Sequence, residues 1–255
     1  MGRLEGIRVL VTRPRSRAAE LCALLEAEGA EVTVTPLLEI MAPEDDRALR
    51  AAAESVSRYA WVVFASPSAV EAFAEATRAA GTFALLQHSK IAAVGPKTAQ
   101  AARELSLPIA REAEKSTGMG LFDAIRHFIG PTDIVLLPAA EEGRLELKEA
   151  LEANGIQVVR VAAYRTQKKA LDRVALADLE LNPPRLVLFA SPRTAESFLE
   201  SAGDVGRRAL SRAAVIAIGP TTANALAAKG IIVAAVADQP TSSSLVAAAV
   251  RAIRG

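Results

Sequence analysis

Short runs rich in β-branched and aliphatic residues recur along the chain at 7–11, 31–35, 61–64 and 91–94, and again at 134–137, 157–161, 186–189 and 215–218. Runs of this length, bounded by polar or turn-forming residues, predict buried strands. Between them the less polar positions fall at helical spacing: Val70, Phe73, Ala74 and Thr77, then Ala195, Phe198, Leu199 and Ala202, and finally Val246, Ala249, Val250 and Ile253. Such spacing gathers them on one helix face that would cover a sheet. Strand, helix and strand in succession imply right-handed crossovers, so the fold class is α/β, with parallel sheets flanked by helices.

The pattern repeats in the residues themselves. LLEAEGAEV, ending at Val32, resembles ALEANGIQV, ending at Val158; WVVFASPSAVEAF from Trp61 resembles LVLFASPRTAESF from Leu186; IAAVGPKTAQAA from Ile91 resembles VIAIGPTTANAL from Val215. A weaker match relates STGMGL from Ser116 to PTSSSL from Pro240. The matches are collinear at a nearly constant spacing of about 125 residues, the mark of a duplication into two similar halves.

Length and composition fit this division. A chain of 255 residues, 51% hydrophobic and 23% charged, suits two globular domains. A net charge of +1 gives no broad basic field, which argues against a nucleic-acid partner and requires any anion to be held locally. Cys22 is the sole cysteine, and the first strand-like run opens at residue 7 with no apolar leader, so a cytoplasmic location is expected. The apolar runs at 213–218 and 231–237 are too short to span a bilayer, and no membrane association is expected.

The informative places are the strand-to-helix turns, because open parallel sheets bind ligands beyond the carboxyl ends of their strands. In Ser66-Pro67-Ser68 and Ser191-Pro192-Arg193 the first Ser suits a helix cap and Pro the first helical position. In Gly95-Pro96-Lys97-Thr98 and Gly219-Pro220-Thr221-Thr222 a Gly is read as permitting a tight turn into the helix. Thr241 and Ser242 to Ser244 open the last helix. Exposed helix starts with free N–H groups are ready carboxylate or phosphate sites, so a nearly neutral chain can still grip a polyanion. His88 and His127 stand isolated, Gly118-x-Gly120 lacks a third glycine because Asp123 stands there, and there is no G-x-S-x-G elbow. No metal, dinucleotide or esterase-type site is therefore expected.

Across nearly its whole length the chain resembles the uroporphyrinogen-III synthase family. The similarity is carried by VTRP at 11–14, FASPSAV at 64–70, AVGPKTA at 93–99, VAAYRT at 161–166, FASPRTAESF at 189–198, AIGPTTANAL at 217–226 and PTSSSL at 240–245. The resemblance implies two similar α/β domains joined by two extended linkers, at about 35–40 and 161–166. Domain one would hold 1–36 with 166–255, and domain two 37–165. It also implies a lyase without cofactors that acts as a monomer on a linear tetrapyrrole bearing eight carboxylates. Hydroxymethylbilane would lose its hydroxyl as water, and the resulting azafulvene cation would attack the substituted carbon of the last pyrrole. The spiro intermediate would open, and that ring would turn over and reclose to give uroporphyrinogen III.

On this resemblance Tyr164, in the second linker and facing the interdomain cleft, would assist departure of the hydroxyl. A phenol is protonated at neutral pH and can donate to a leaving oxygen. Substrate contacts are expected from Thr12, Arg13, Pro14, Ser66, Ser68, Gly95, Lys97, Thr98, Arg144, Ser191, Arg193, Gly219, Thr221, Thr222 and Ser242. Ala139-Ala140 stand where relatives often carry Arg or Gly, which would remove a charged contact from this turn, with Arg144 expected to compensate. The alternative is a non-catalytic two-domain binding protein for an anionic small molecule, which explains the repeat but gives Tyr164 no work. A phosphosugar or nucleotide enzyme would need a base or metal site that the sequence does not offer.

Overall fold

The computed structural model describes residues 2–14 and 17–254. Met1 and Gly255, the outer ends of the expected first domain, lie outside the described residues. The strands are β1 Arg8–Val11, β2 Glu31–Val34, β3 Leu38–Met41, β4 Trp61–Phe64, β5 Lys90–Ala93, β6 Ile109–Glu112, β7 Ile134–Ala140, β8 Gln157–Lys168, β9 Leu186–Phe189, β10 Ala214–Ala217 and β11 Ala235–Val236. The helices are α1 Ala19–Ala27, α2 Arg47–Glu54, α3 Pro67–Ala79, α4 Phe83–Leu86, α5 Pro96–Glu104, α6 Gly118–Ile125, α7 Glu146–Ala153, α8 Arg173–Leu181, α9 Pro192–Arg212, α10 Pro220–Ala227 and α11 Ser242–Arg254. Among the described residues no helix is long and apolar enough to cross a membrane.

The chain forms two compact units, Met1–Glu39 with Gln167–Gly255, and Ile40–Thr166. The sheet of the first has the order β11-β10-β9-β1-β2, and that of the second β3-β8-β7-β4-β5-β6. The duplication explains both. Replacing β1, β2, β9, β10 and β11 by their repeat counterparts β7, β8, β4, β5 and β6 converts one order into the other, with β3 added at an edge. Each unit thus joins the opening strands of one repeat to the closing strands of the other. The joints, β1 beside β9 and β7 beside β4, are parallel pairs. Strand order reverses there, which makes each joint a topological switch point.

Alternation along the strands fills the two faces. Val9 and Val11 pack with Leu21, Leu25 and Leu245 from α1 and α11, whereas Leu10 between them packs with Leu179, Phe198 and Leu226 from α8, α9 and α10. In the second unit Val62 and Phe64 join Val70 and Phe73 of α3, and Trp61 and Val63 join Leu121 and Leu151 of α6 and α7. The repeat preserves an aromatic pair on each side: ring centroids lie 6.2 Å apart in Phe64–Phe73 and 5.6 Å apart in Phe189–Phe198. Truncating such a buried ring to Ala costs about 3–5 kcal/mol, so these pairs anchor the helices on which the turns below depend.

Two features differ from the sequence reading. Residues 161–166, expected as an extended linker, continue β8, pairing from Val161 with Pro138 to Tyr164 with Ala140. The aliphatic run extends the ladder beyond the expected strand end. Likewise 38–41 forms β3, and β6 and β11 are strands the pattern did not show.

Candidate active site

The registered pairs within each sheet run parallel, so within each unit the strands of those pairs deliver their carboxyl ends to one edge. The starts of α3 and α5 stand at that edge in the second unit, and those of α9 and α10 in the first. Ser66 and Ser191 cap their helices from extended backbone, each accepting an N–H at 3.2 Å, from Ala69 and Thr194 respectively. Proline follows at the first helical position in both, where its missing N–H leaves no bond unmade.

The reading of Gly95 and Gly219 as turn-permitting residues is corrected. Their φ values of 162° and −178° are extended backbone open to any residue. At Gly95 the requirement is space, since an added Cβ would fall 2.3 Å from Ser116 Oγ. At Gly219 an added Cβ would meet nothing within 4 Å. The expectation of uniformly exposed helix starts is also corrected. Ser68, Thr98 and Thr222 are each 2% exposed and Ser242 1%, so these hydroxyls are buried within the fold. Lys97, Arg144, Arg193 and Thr221 are exposed.

In the first unit the buried Thr12 hydroxyl donates to Leu188 O at 3.0 Å. It ties β1 to β9 at the switch point. Pro14 accepts the Arg17 N–H at 2.9 Å. Arg13 is half-buried and donates to Ser242 Oγ at 3.5 Å, while Ser242 donates to Glu20 Oε2 at 2.8 Å. Burial pulls the Arg13 guanidinium below the ordinary arginine value, with Glu20 opposing the shift and Arg17 adding to it. A guanidinium stays charged under such a shift, so Arg13 is a partly desolvated cation at the end of β1. The Ser242 hydroxyl, in contrast, already serves a resident carboxylate.

The second unit brings Ser66, Ser68 and Tyr164 together. Tyr164 Oη lies 3.0 Å from Ser66 Oγ, so a phenol on β8 reaches across β7 to the helix start that follows β4. Tyr164 and Ser68 line a cavity of about 700 Å³ whose wall also carries Glu54, Glu71 and Glu75. That wall has the wrong sign for carboxylates; the helix starts and Lys97 have the right one. A cavity of about 300 Å³ in the first unit, between β1, β2 and α8, contains none of the expected site residues.

One charged group at this edge was missed from sequence. Arg160, on β8, donates through Nη2 to the carbonyls of Ala140 and Glu141, at the turn where Ala139-Ala140 carry no charge. The available signal was a lone arginine inside the apolar run VVRVAAY. Among the described residues no cluster of three His, Cys, Asp or Glu side chains is arranged to hold a metal ion.

Comparison with known proteins agrees with this architecture. Residues 19–247 match the family model described as uroporphyrinogen-III synthase HemD. The chain is 28% identical over 250 residues to the porphyrin biosynthesis protein HemD of Ruminiclostridium josui, covering 95% of this chain but 48% of that relative, so it spans about half of that longer protein. It is 30% identical over 225 residues to the chloroplastic uroporphyrinogen-III synthase of Oryza sativa subsp. japonica, covering 85% of this chain and 71% of the relative. The crystal structure of uroporphyrinogen-III synthetase from Helicobacter pylori superposes with a TM-score of 0.70 at 19% identity, over 96% of this chain and 99% of the other, a likeness of fold. The chain belongs to the uroporphyrinogen-III synthase HemD family.

Proposed function

We propose that the chain closes hydroxymethylbilane into uroporphyrinogen III with loss of water, as a cytoplasmic monomer, and that Tyr164 assists departure of the hydroxyl. The observation that carries the role of Tyr164 is its 3.0 Å hydrogen bond to Ser66 at the carboxyl edge of the second unit's sheet. Ser66 Oγ accepts the Ala69 N–H, which leaves its own proton free to be donated to the phenol oxygen. Such a chain polarises each bond in turn, and the phenol proton is left free to face the leaving hydroxyl.

As the carbon–oxygen bond breaks, that proton converts the hydroxyl to water while the pyrrole nitrogen supplies the electron pair that forms the azafulvene. The proton is returned when the reclosed pyrrole regains its aromaticity. Since the electron-rich pyrrole already expels its substituent readily, the enzyme's larger task is to hold the chain folded for attack at the substituted carbon. Left unguided, closure at the free terminal carbon would give the symmetric isomer. The substrate's carboxylates would be met by the starts of α3, α5, α9 and α10, together with Arg13, Lys97 and Arg193.

The test is turnover of hydroxymethylbilane with isomer analysis of the product. The chain is expected to give the inverted isomer, and Tyr164→Phe to lower kcat by about 10- to 100-fold with little change in KM, at or below the lower end of general acid catalysis. Only symmetric product, formed at the spontaneous rate, would overturn the assignment; an unchanged kcat in Tyr164→Phe would remove the role of the phenol.

A further inference from the structure

We infer that Arg160 is a positioning residue for Tyr164: its guanidinium fixes the turn after β7, and that turn fixes the main-chain position from which the phenol reaches Ser66. The inference rests on the reading of Tyr164 given above. A half-buried arginine in the middle of an aliphatic strand is costly, and among the described residues its Nε is buried without a partner. The group is therefore placed for what Nη2 does. That atom donates to two successive carbonyls, those of Ala140 and, at 3.1 Å, Glu141.

The turn closes tightly upon it. Gly143 N–H donates to the same Ala140 oxygen at 2.9 Å, and a Cβ on Gly143 would lie 2.9 Å from that oxygen and 3.3 Å from Arg160 Nη2. The peptide linking Ala140 to Glu141 then points its carbonyl to Arg160 and its N–H to Tyr164 O, at 2.8 Å. This rung follows an irregularity: Ala139 pairs with Ala162, but Ala140 pairs with Tyr164, leaving Ala163 as an extra residue. Side chains alternate faces at every residue, so one extra residue in β8 decides which side of the sheet receives the phenol. Guanidinium, turn, rung and bulge form one connected set that ends at the Tyr164–Ser66 bond. A lysine could supply the charge, but its shorter, flexible stem would not hold a nitrogen at both oxygens.

The test is a double-mutant cycle between Arg160→Lys and Tyr164→Phe, with Gly143→Ala as a second route into the same turn. Arg160→Lys is expected to lower kcat about tenfold with KM unchanged, and to cause no further loss when added to Tyr164→Phe. Gly143→Ala keeps the arginine but displaces its acceptor, so it should reproduce both results even if Arg160→Lys fails to fold. An equal loss in the presence and absence of the Tyr164 hydroxyl, or a rise in KM alone, would overturn the inference. A second readout does not depend on catalysis. The chain has two tyrosines, Tyr59 and Tyr164, so carbon-13 labelling at tyrosine Cζ gives two signals. In Arg160→Lys or Gly143→Ala the Tyr164 signal should move toward its position in Ser66→Ala, with Tyr59 unmoved. A stationary Tyr164 signal sinks the positioning role, whereas a shifted signal with full activity in Tyr164→Phe sinks the catalytic one.

Discussion

Gly95 and Gly219 hold equivalent places in the two repeats, yet a methyl group added at each would meet different surroundings. At Gly95 it would press on Ser116, whose hydroxyl can rotate away, so Gly95→Ala should cost about 1 kcal/mol, the low end for overpacking, read from the denaturant midpoint. At Gly219 the extended backbone and empty surroundings accept Ala, and the restricted unfolded chain should add about 0.4–1 kcal/mol of stability. If the α10 start takes a substrate carboxylate, Gly219→Ala should nevertheless raise KM, because the methyl stands where the ligand approaches the amides. A stable variant with unaltered KM would remove α10 from the substrate contacts. The sequence could show that both positions lack a Cβ. It could not show why, since a glycine required by backbone angle and one required by a neighbour are written identically. The Ser-Pro caps were legible for the opposite reason: capping and the first-position proline are local chemistry.

Elements were legible where both faces are buried. Residues 61–64 and 186–189 are apolar throughout and form β4 and β9 with all their residues buried. The missed strands lie at sheet edges, where one side meets solvent: β6 has the sequence IARE with its two middle residues exposed, and β11 has two residues. Polar composition at an edge conceals a strand whose pairing partner supplies the stabilisation. The C-terminus of α1 shows another tertiary link that the local pattern does not carry. Its capping residue Glu28 is held at a pKa of about 2 by the Arg3 guanidinium, against an ordinary value of 4.5, and its carbonyl accepts the Leu4 N–H at 2.8 Å. A depressed carboxylate contributes fully above its unfolded value and loses that contribution as pH falls toward the folded one. Hydrogen exchange should therefore show the amides of Leu4 and Gly6 losing protection between pH 4.5 and about 2, ahead of the core strands. Protection that declines in step with β9 would mean that the Arg3–Glu28 pair contributes nothing measurable.

The exchange of halves between repeats gives the two units different folding requirements. The second unit is continuous in sequence, and both of its cores draw only on residues from Leu49 to Tyr164. The first unit must join the chain's two ends: Thr12 and Leu188, bonded across its switch point, are 176 residues apart. Closing so long a loop carries an entropic cost that the second unit does not bear, and residues after β8 must be present before β1 can find β9. A fragment of residues 36–168, which retains β3 and the whole of β8, should therefore fold alone, with α/β circular dichroism and one cooperative urea transition. The two segments of the first unit, 1–39 and 167–255, should each be unfolded in isolation, because each holds only part of the five-stranded sheet. In the intact chain, amides of β4, β5 and β7 should become protected in pulsed exchange before those of β1 and β9. Simultaneous protection in both sheets, or a fragment without a cooperative transition, would show that the second unit depends on the first despite containing its own complete core.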